Sequence, residues 1–127
     1  MQGKHLYEYA VIRVVPKVER EEFLNVGIII FCKQAKFIKV ICFINEAKIQ
    51  LFAADLDCEQ LQSNLLAFEK VAHGEKSAGP IAQFDISSRF RWLTALRSST
   101  IQTSRPHPGM CDDLEKTAQR LLEEMVL

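Results

Sequence analysis

Between Asp85 and Asp112 the chain carries no carboxylate side chain, yet it holds Arg89, Arg91, Arg97, Arg105 and His107. Hydroxyls crowd the same stretch, among them Ser87, Ser88, Thr94, Ser98 and Ser99. Guanidinium forks beside hydroxyls and free turn amides suit phosphate or carboxylate oxygens, because each donor makes a short, charge-assisted hydrogen bond. Phe90 and Trp92 add flat surfaces on which a nucleobase can stack. The reading takes Arg89, Arg91, Trp92, Arg97, Arg105 and His107 as one ligand-binding face. Its ligand is an acidic protein surface or a small phosphorylated molecule, with single-stranded nucleic acid as the alternative. No glycine-rich phosphate loop accompanies the arginines. The competing assignment is structural: the arginines pair with Glu19, Glu21, Glu22, Glu123 and Glu124, and Trp92 fills the core.

A second constellation is His107 with Cys111, four positions apart across Pro108-Gly109. A thiolate activated by nearby arginines and a histidine base would serve a hydrolase or transferase. No third orienting group is identifiable, so a loop histidine and a helix-start cysteine are favoured and no catalytic residue is assigned. The four cysteines, Cys32, Cys42, Cys58 and Cys111, form no C-x-x-C pair, and His5 and His73 stand apart from carboxylate clusters. Neither a metal nor a cofactor is expected. Asp55 with Asp57, and Asp112 with Asp113, sit where helix caps belong. The leading function is a non-enzymatic binding or accessory module.

The 127 residues are 48% hydrophobic and 25% charged, with 16 Lys and Arg against 16 Asp and Glu. That length supports one domain with a core that needs no metal or disulfide. Zero net charge argues against non-specific coating of DNA, and the composition argues against wholesale disorder. The first residues, Met1-Gln2-Gly3-Lys4-His5, lack the apolar stretch of a secretory signal. The longest apolar run, residues 26–32, is far short of the roughly 20 needed to span a bilayer. A cytosolic protein with free thiols is expected.

The elements that position these groups follow from pattern. Residues 6–15 are rich in β-branched and aromatic side chains and end at Pro16, which reads as a strand. Residues 26–32 are continuously apolar, as in a strand buried on both faces. Residues 37–44 return from them across Lys33-Gln34-Ala35-Lys36 as an antiparallel hairpin, which sets Cys32 near Phe37 and Val26 near Phe43. That spacing puts Cys32 and Cys42 at opposite ends of the hairpin, too far to bond.

Asn45 caps a short helix. Asp55 or Asp57 caps the next, where Cys58, Leu61, Leu65, Phe68 and Ala72 recur on one face until His73-Gly74 stops it. Residues 75–80 read as a mobile loop, residues 89–96 as a short helix and residues 98–104 as a fourth strand. Pro106 and Pro108-Gly109 break the chain before a last helix with an inner stripe of Leu114, Ala118, Leu121, Leu122 and Met125. Its acidic face, Glu115, Glu123 and Glu124, closes on the basic segment or meets a second subunit in a homodimer. The whole is a single α+β domain: an antiparallel sheet of about four strands with helices packed on one face.

Two stretches carry a family resemblance. Tyr7-Glu8-Tyr9-Ala10-Val11-Ile12-Arg13-Val14-Val15-Pro16, with Glu19-Arg20-Glu21-Glu22-Phe23-Leu24-Asn25-Val26-Gly27-Ile28, resembles the opening of a bacterial family labelled domain of unknown function 3037. Arg89-Phe90-Arg91-Trp92-Leu93-Thr94-Ala95-Leu96-Arg97-Ser98-Ser99-Thr100, with His107-Pro108-Gly109, resembles its second signature. Leu96 departs from the pattern, which often has a proline after the alanine. The resemblance implies bacterial cytosolic proteins without an assigned activity, some encoded beside a kinase of the persistence-toxin type. It thus implies an accessory role with a kinase-type protein partner.

Overall fold

The structure, a computed structural model, describes residues 4–95 and 100–127. Strands β1 (His5–Val14), β2 (Leu24–Cys32) and β3 (Phe37–Cys42) form where the β-branched runs predict them. Cys32 pairs with Phe37 in the hairpin register. The Phe43 N–H donates to the Val26 carbonyl at 2.7 Å, so both expected neighbours meet. Lys36 completes the turn with a left-handed φ of 53°.

Helices α1 (Glu46–Phe52) and α2 (Cys58–Ala72) follow, each opened by an acceptor side chain. Asn45 accepts the Lys48 N–H and Asp57 the Gln60 N–H, both at 3.1 Å. His73 ends α2, and Gly74, at a φ of 71°, reverses the chain. Residues 75–80, expected as a mobile loop, are instead wound with the following residues into two 3-10 turns, Lys76–Ala78 and Pro80–Gln83. Helix α3 (Ile86–Leu93) starts three residues before the expected span, because Asp85 accepts the Ser88 N–H at 2.7 Å. Of the fourth strand, β4 (Ile101–Thr103) is present, while Ser98 and Ser99 lie outside the described residues. Helix α4 (Leu114–Met125) closes the chain, with Asp113 accepting the Lys116 N–H.

One strand is additional. The His-Pro-Gly stretch expected as a break forms β5 (His107–Cys111), paired antiparallel with residues 5–9 of β1. An edge strand tolerates Pro108, whose missing N–H costs no ladder bond on its open side. Gly109 is required there, since a Cβ would lie 2.5 Å from the Tyr7 ring. The sheet order is β3-β2-β1-β4, with β5 sharing the outer edge of β1. Ser104 bridges the irregular join between β4 and β5: its N–H donates to the Val11 carbonyl and its hydroxyl accepts the Val11 N–H, both at 2.9 Å. That hydroxyl replaces a ladder carbonyl, and Ser104 is buried.

The α+β class holds with five strands, but the helices do not share one face. Alternate residues of β2 look opposite ways. Ile29 and Phe31 join Leu61, Leu65 and Phe90 in one core, whereas Ile28, Ile30 and Cys32 pack against Leu114, Ala118, Leu121 and Leu122 of α4 in another. A strand apolar on both sides needs a cover on both, and α4 supplies the second. Gly27 lets β3 approach: a Cβ would sit 2.7 Å from the Ile41 carbonyl oxygen and 2.9 Å from Cys42 Sγ. Gly27→Ala is therefore expected to lower unfolding free energy by about 1–3 kcal/mol through overpacking. Urea unfolding checks this; an unchanged midpoint would mean that the strands accommodate the methyl.

Candidate functional site

The described arginines of the basic segment do not converge. Arg89, half-buried, turns toward the end of α2: its Nε donates to the Ala72 carbonyl at 3.2 Å and its Nη1 to the Phe84 carbonyl at 2.7 Å. A Cβ on Gly74 would come within 3.3 Å of the guanidinium, so this cation lies directly over the reversal after α2. A cation there meets unpaired carbonyls and the negative end of the helix dipole. Arg89 is thus a clamp between α2 and α3.

Arg91, two residues further along α3 and so on its other side, reaches β1. Its two Nη atoms donate to the two Glu8 carboxylate oxygens at 2.9 and 2.6 Å. This bidentate bond first, and the Glu8 charge second, hold the guanidinium above its ordinary value. The partner differs from the acids expected from sequence: Glu22 pairs with Arg20 and Glu124 with Arg120, each within its own element or loop. On α4, Glu115 pairs with Lys39 of β3 at 2.6 Å, so that acid closes within the fold.

The aromatic residues of α3 divide. Phe90 is fully buried and stacks on Phe31 with centroids 4.8 Å apart, which removes it as a surface for a base. Trp92 is 42% exposed and does not fill the core. It lines a hollow of about 400 Å³ with Phe68, Val71 and Asn64. Arg97 and Leu96 lie outside the described residues.

His107 opens β5 at the sheet's outer edge, and Arg105 lies two residues before it. Both are exposed, and no ion pair among the described residues involves Arg105. The His107 ring lies against Tyr9, centroids 5.4 Å apart, and Tyr9 lies against Tyr7 at 6.3 Å. Alternation along β1 puts Arg13 on the same face, where its guanidinium covers the Phe23 ring at 4.0 Å. Helix α4 packs over β2 and β3, leaving Tyr9 and Arg13 half-buried and His107 exposed beyond it. Sequence reasoning missed Tyr9 and Arg13; their signal was the alternation Tyr7, Tyr9, Val11, Arg13 in a strand whose other face is apolar.

His107 and Cys111 do not form a nucleophile and base. Four residues along β5 separate them by about 13 Å. Cys42 is no nucleophile either: burial first, and the Glu69 charge second, push its thiol up to about 12. No group of three or more His, Cys, Asp or Glu that could hold a metal occurs among the described residues. Asp85, held by the Ser88 N–H and then by its hydroxyl, titrates below the ordinary carboxylate value. No helix among the described residues is long and apolar enough to cross a membrane.

A five-stranded antiparallel sheet with helices on both faces defines an α+β fold. Residues 9–126 match the model of a family described as a protein of unknown function, DUF3037, and the chain belongs to that family. No curated protein and no solved structure matches it.

Two predictions follow from these environments. Arg89→Ala should cost about 1–3 kcal/mol of stability, because it strips donors from carbonyls at a packed helix end, whereas Arg91→Ala, at a largely exposed pair, should cost less than about 1 kcal/mol. Equal losses in chemical denaturation would overturn that distinction. The raised Cys42 thiol keeps its proton in the folded chain while the unfolded chain loses it above about 9. Stability should therefore fall as pH rises from about 9 toward 12, with this thiol contributing at most about 1.4 kcal/mol per pH unit. Cys42→Ala should flatten the alkaline slope; an identical slope in the variant would contradict the assignment.

Proposed function

We propose that this chain is a binding module that docks an acidic protein surface on the sheet face beside α4, through Arg105 and His107 with Tyr9 and Arg13. The observation that carries this reading is the exposure of Arg105 and His107 in a stretch, residues 86–111, that holds no carboxylate. Arg13 lies four strand positions from Tyr9, about 13 Å along β1. The cations are therefore spread along the sheet, which suits an extended acidic surface better than a single phosphate. Aromatic rings between them supply contact area that survives loss of one charge.

Nucleic acid is the weaker reading. The buried position of Phe90 removes one of the two stacking surfaces it could use, and Trp92 belongs to the side of the sheet covered by α2 and α3. A kinase-type partner is compatible with an acidic docking surface and is carried only by the family resemblance.

The test uses fluorescently labelled poly-glutamate and oligothymidylate as probes, read by anisotropy. Poly-glutamate should bind, and Arg105→Glu with His107→Glu should weaken it by at least about tenfold while the melting temperature stays constant. Tighter binding of the oligonucleotide, with a steep loss as salt rises, would favour nucleic acid instead.

A further inference from the structure

The opposite face of the same sheet end carries a separate feature. Leu6 of β1 and Met110 of β5 are cross-strand partners, yet they are 59% and 65% exposed. Alternation places both on the side where Ala10 and Ile12 are buried under α2 and α3, just past the reach of those helices. The result is a hollow of about 630 Å³ floored by Leu6, Phe31 and Pro108. The Ser87 and Arg91 side of α3 forms one wall, and Lys33 with Gln34, from the β2–β3 turn, forms another. Its volume falls in the range of small-molecule sites, about 300–1,000 Å³.

The charges in the walls select a class of ligand. Both Glu8 oxygens are occupied by Arg91, so that carboxylate has no charge left to attract a cation. Lys33 makes no ion pair among the described residues. Asp85, the acid whose charge it meets, stays ionised while it caps α3 through Ser88, and it does not line the hollow. The side chains that line the hollow therefore carry a net positive charge, Lys33 and Arg91 against Glu8. Gln34 and Ser87 add groups able to donate to an anion, and the floor is apolar.

We propose that this hollow binds a small amphipathic anion, a carboxylate or sulfonate on an aryl or medium-chain alkyl body, with the body on Leu6 and Pro108 and the head at Lys33. This site is independent of the docking face of Arg105 and His107, so either can fail alone.

The probe is anilinonaphthalene sulfonate, titrated by fluorescence and mapped by amide shift changes in NMR, with decanoate as competitor. Saturable binding is expected, with the largest shifts at Leu6, Gln34 and Ser87. Leu6→Asp and Lys33→Glu should each weaken binding by at least about tenfold, whereas Leu51→Asp, at a residue 91% exposed on α1, should not. Decanoate should displace the probe and decyltrimethylammonium should not. Unsaturable binding, equal loss in the Leu51 variant, or equal displacement by the cation would each overturn the proposal.

Discussion

Burial of β2 on both faces is the constraint from which the rest of the architecture follows. From Val26 to Cys32 every residue is buried, and from Ile28 onward consecutive side chains point to opposite sides. Each fully buried isoleucine contributes about 1.5–3 kcal/mol relative to exposure, so neither side can be left to water. One side recruits α2 and α3 through Leu61, Leu65 and Phe90, and the other recruits α4 through its Leu114, Ala118, Leu121 and Leu122 stripe. Arg89 then ties α2 to α3, and Asn25 ties β2 to the end of α4 by donating to the Met125 carbonyl at 2.9 Å.

The same constraint explains where the sheet is left open. The covers lie over β2 and β3, so β1, beside them, is sheltered in its middle and exposed at Leu6 near its start. There β5 adds a short edge strand, held by Gly109 under the Tyr7 ring. Its alternating side chains give the two faces different characters: His107 beside Tyr9 on one, Pro108 and Met110 beside Leu6 on the other. Exposure at this end is thus a geometric consequence of packing, and the residues presented there decide what it contacts.

Much of this was legible in sequence. The hairpin register, the Asn45 and Asp57 caps, the stop at His73-Gly74 and the stripe of α4 all rest on local signals that tertiary contacts reinforced. The uninterrupted apolar run of β2 also implied burial on both sides, and following it through would have moved α4 to the second face. β5 was not legible, because His-Pro-Gly has the composition of a turn and becomes a strand only at an edge beside β1. The fates of the arginines were hidden for a related reason. Arg91 finds Glu8 83 positions away, and Arg89 finds carbonyl oxygens, which have no residue signature. A cluster in sequence is therefore not a cluster in space.

Native-state hydrogen exchange on the Ile28, Ile29 and Ile30 amides tests the two-sided clamp most directly. If both helical layers hold β2, these amides exchange only through global unfolding, with the same denaturant dependence as the α4 amides of Leu121 and Leu122. Exchange of the α4 amides through a smaller, separate opening that leaves β2 protected would contradict it, because the second face would then not belong to the cooperative core.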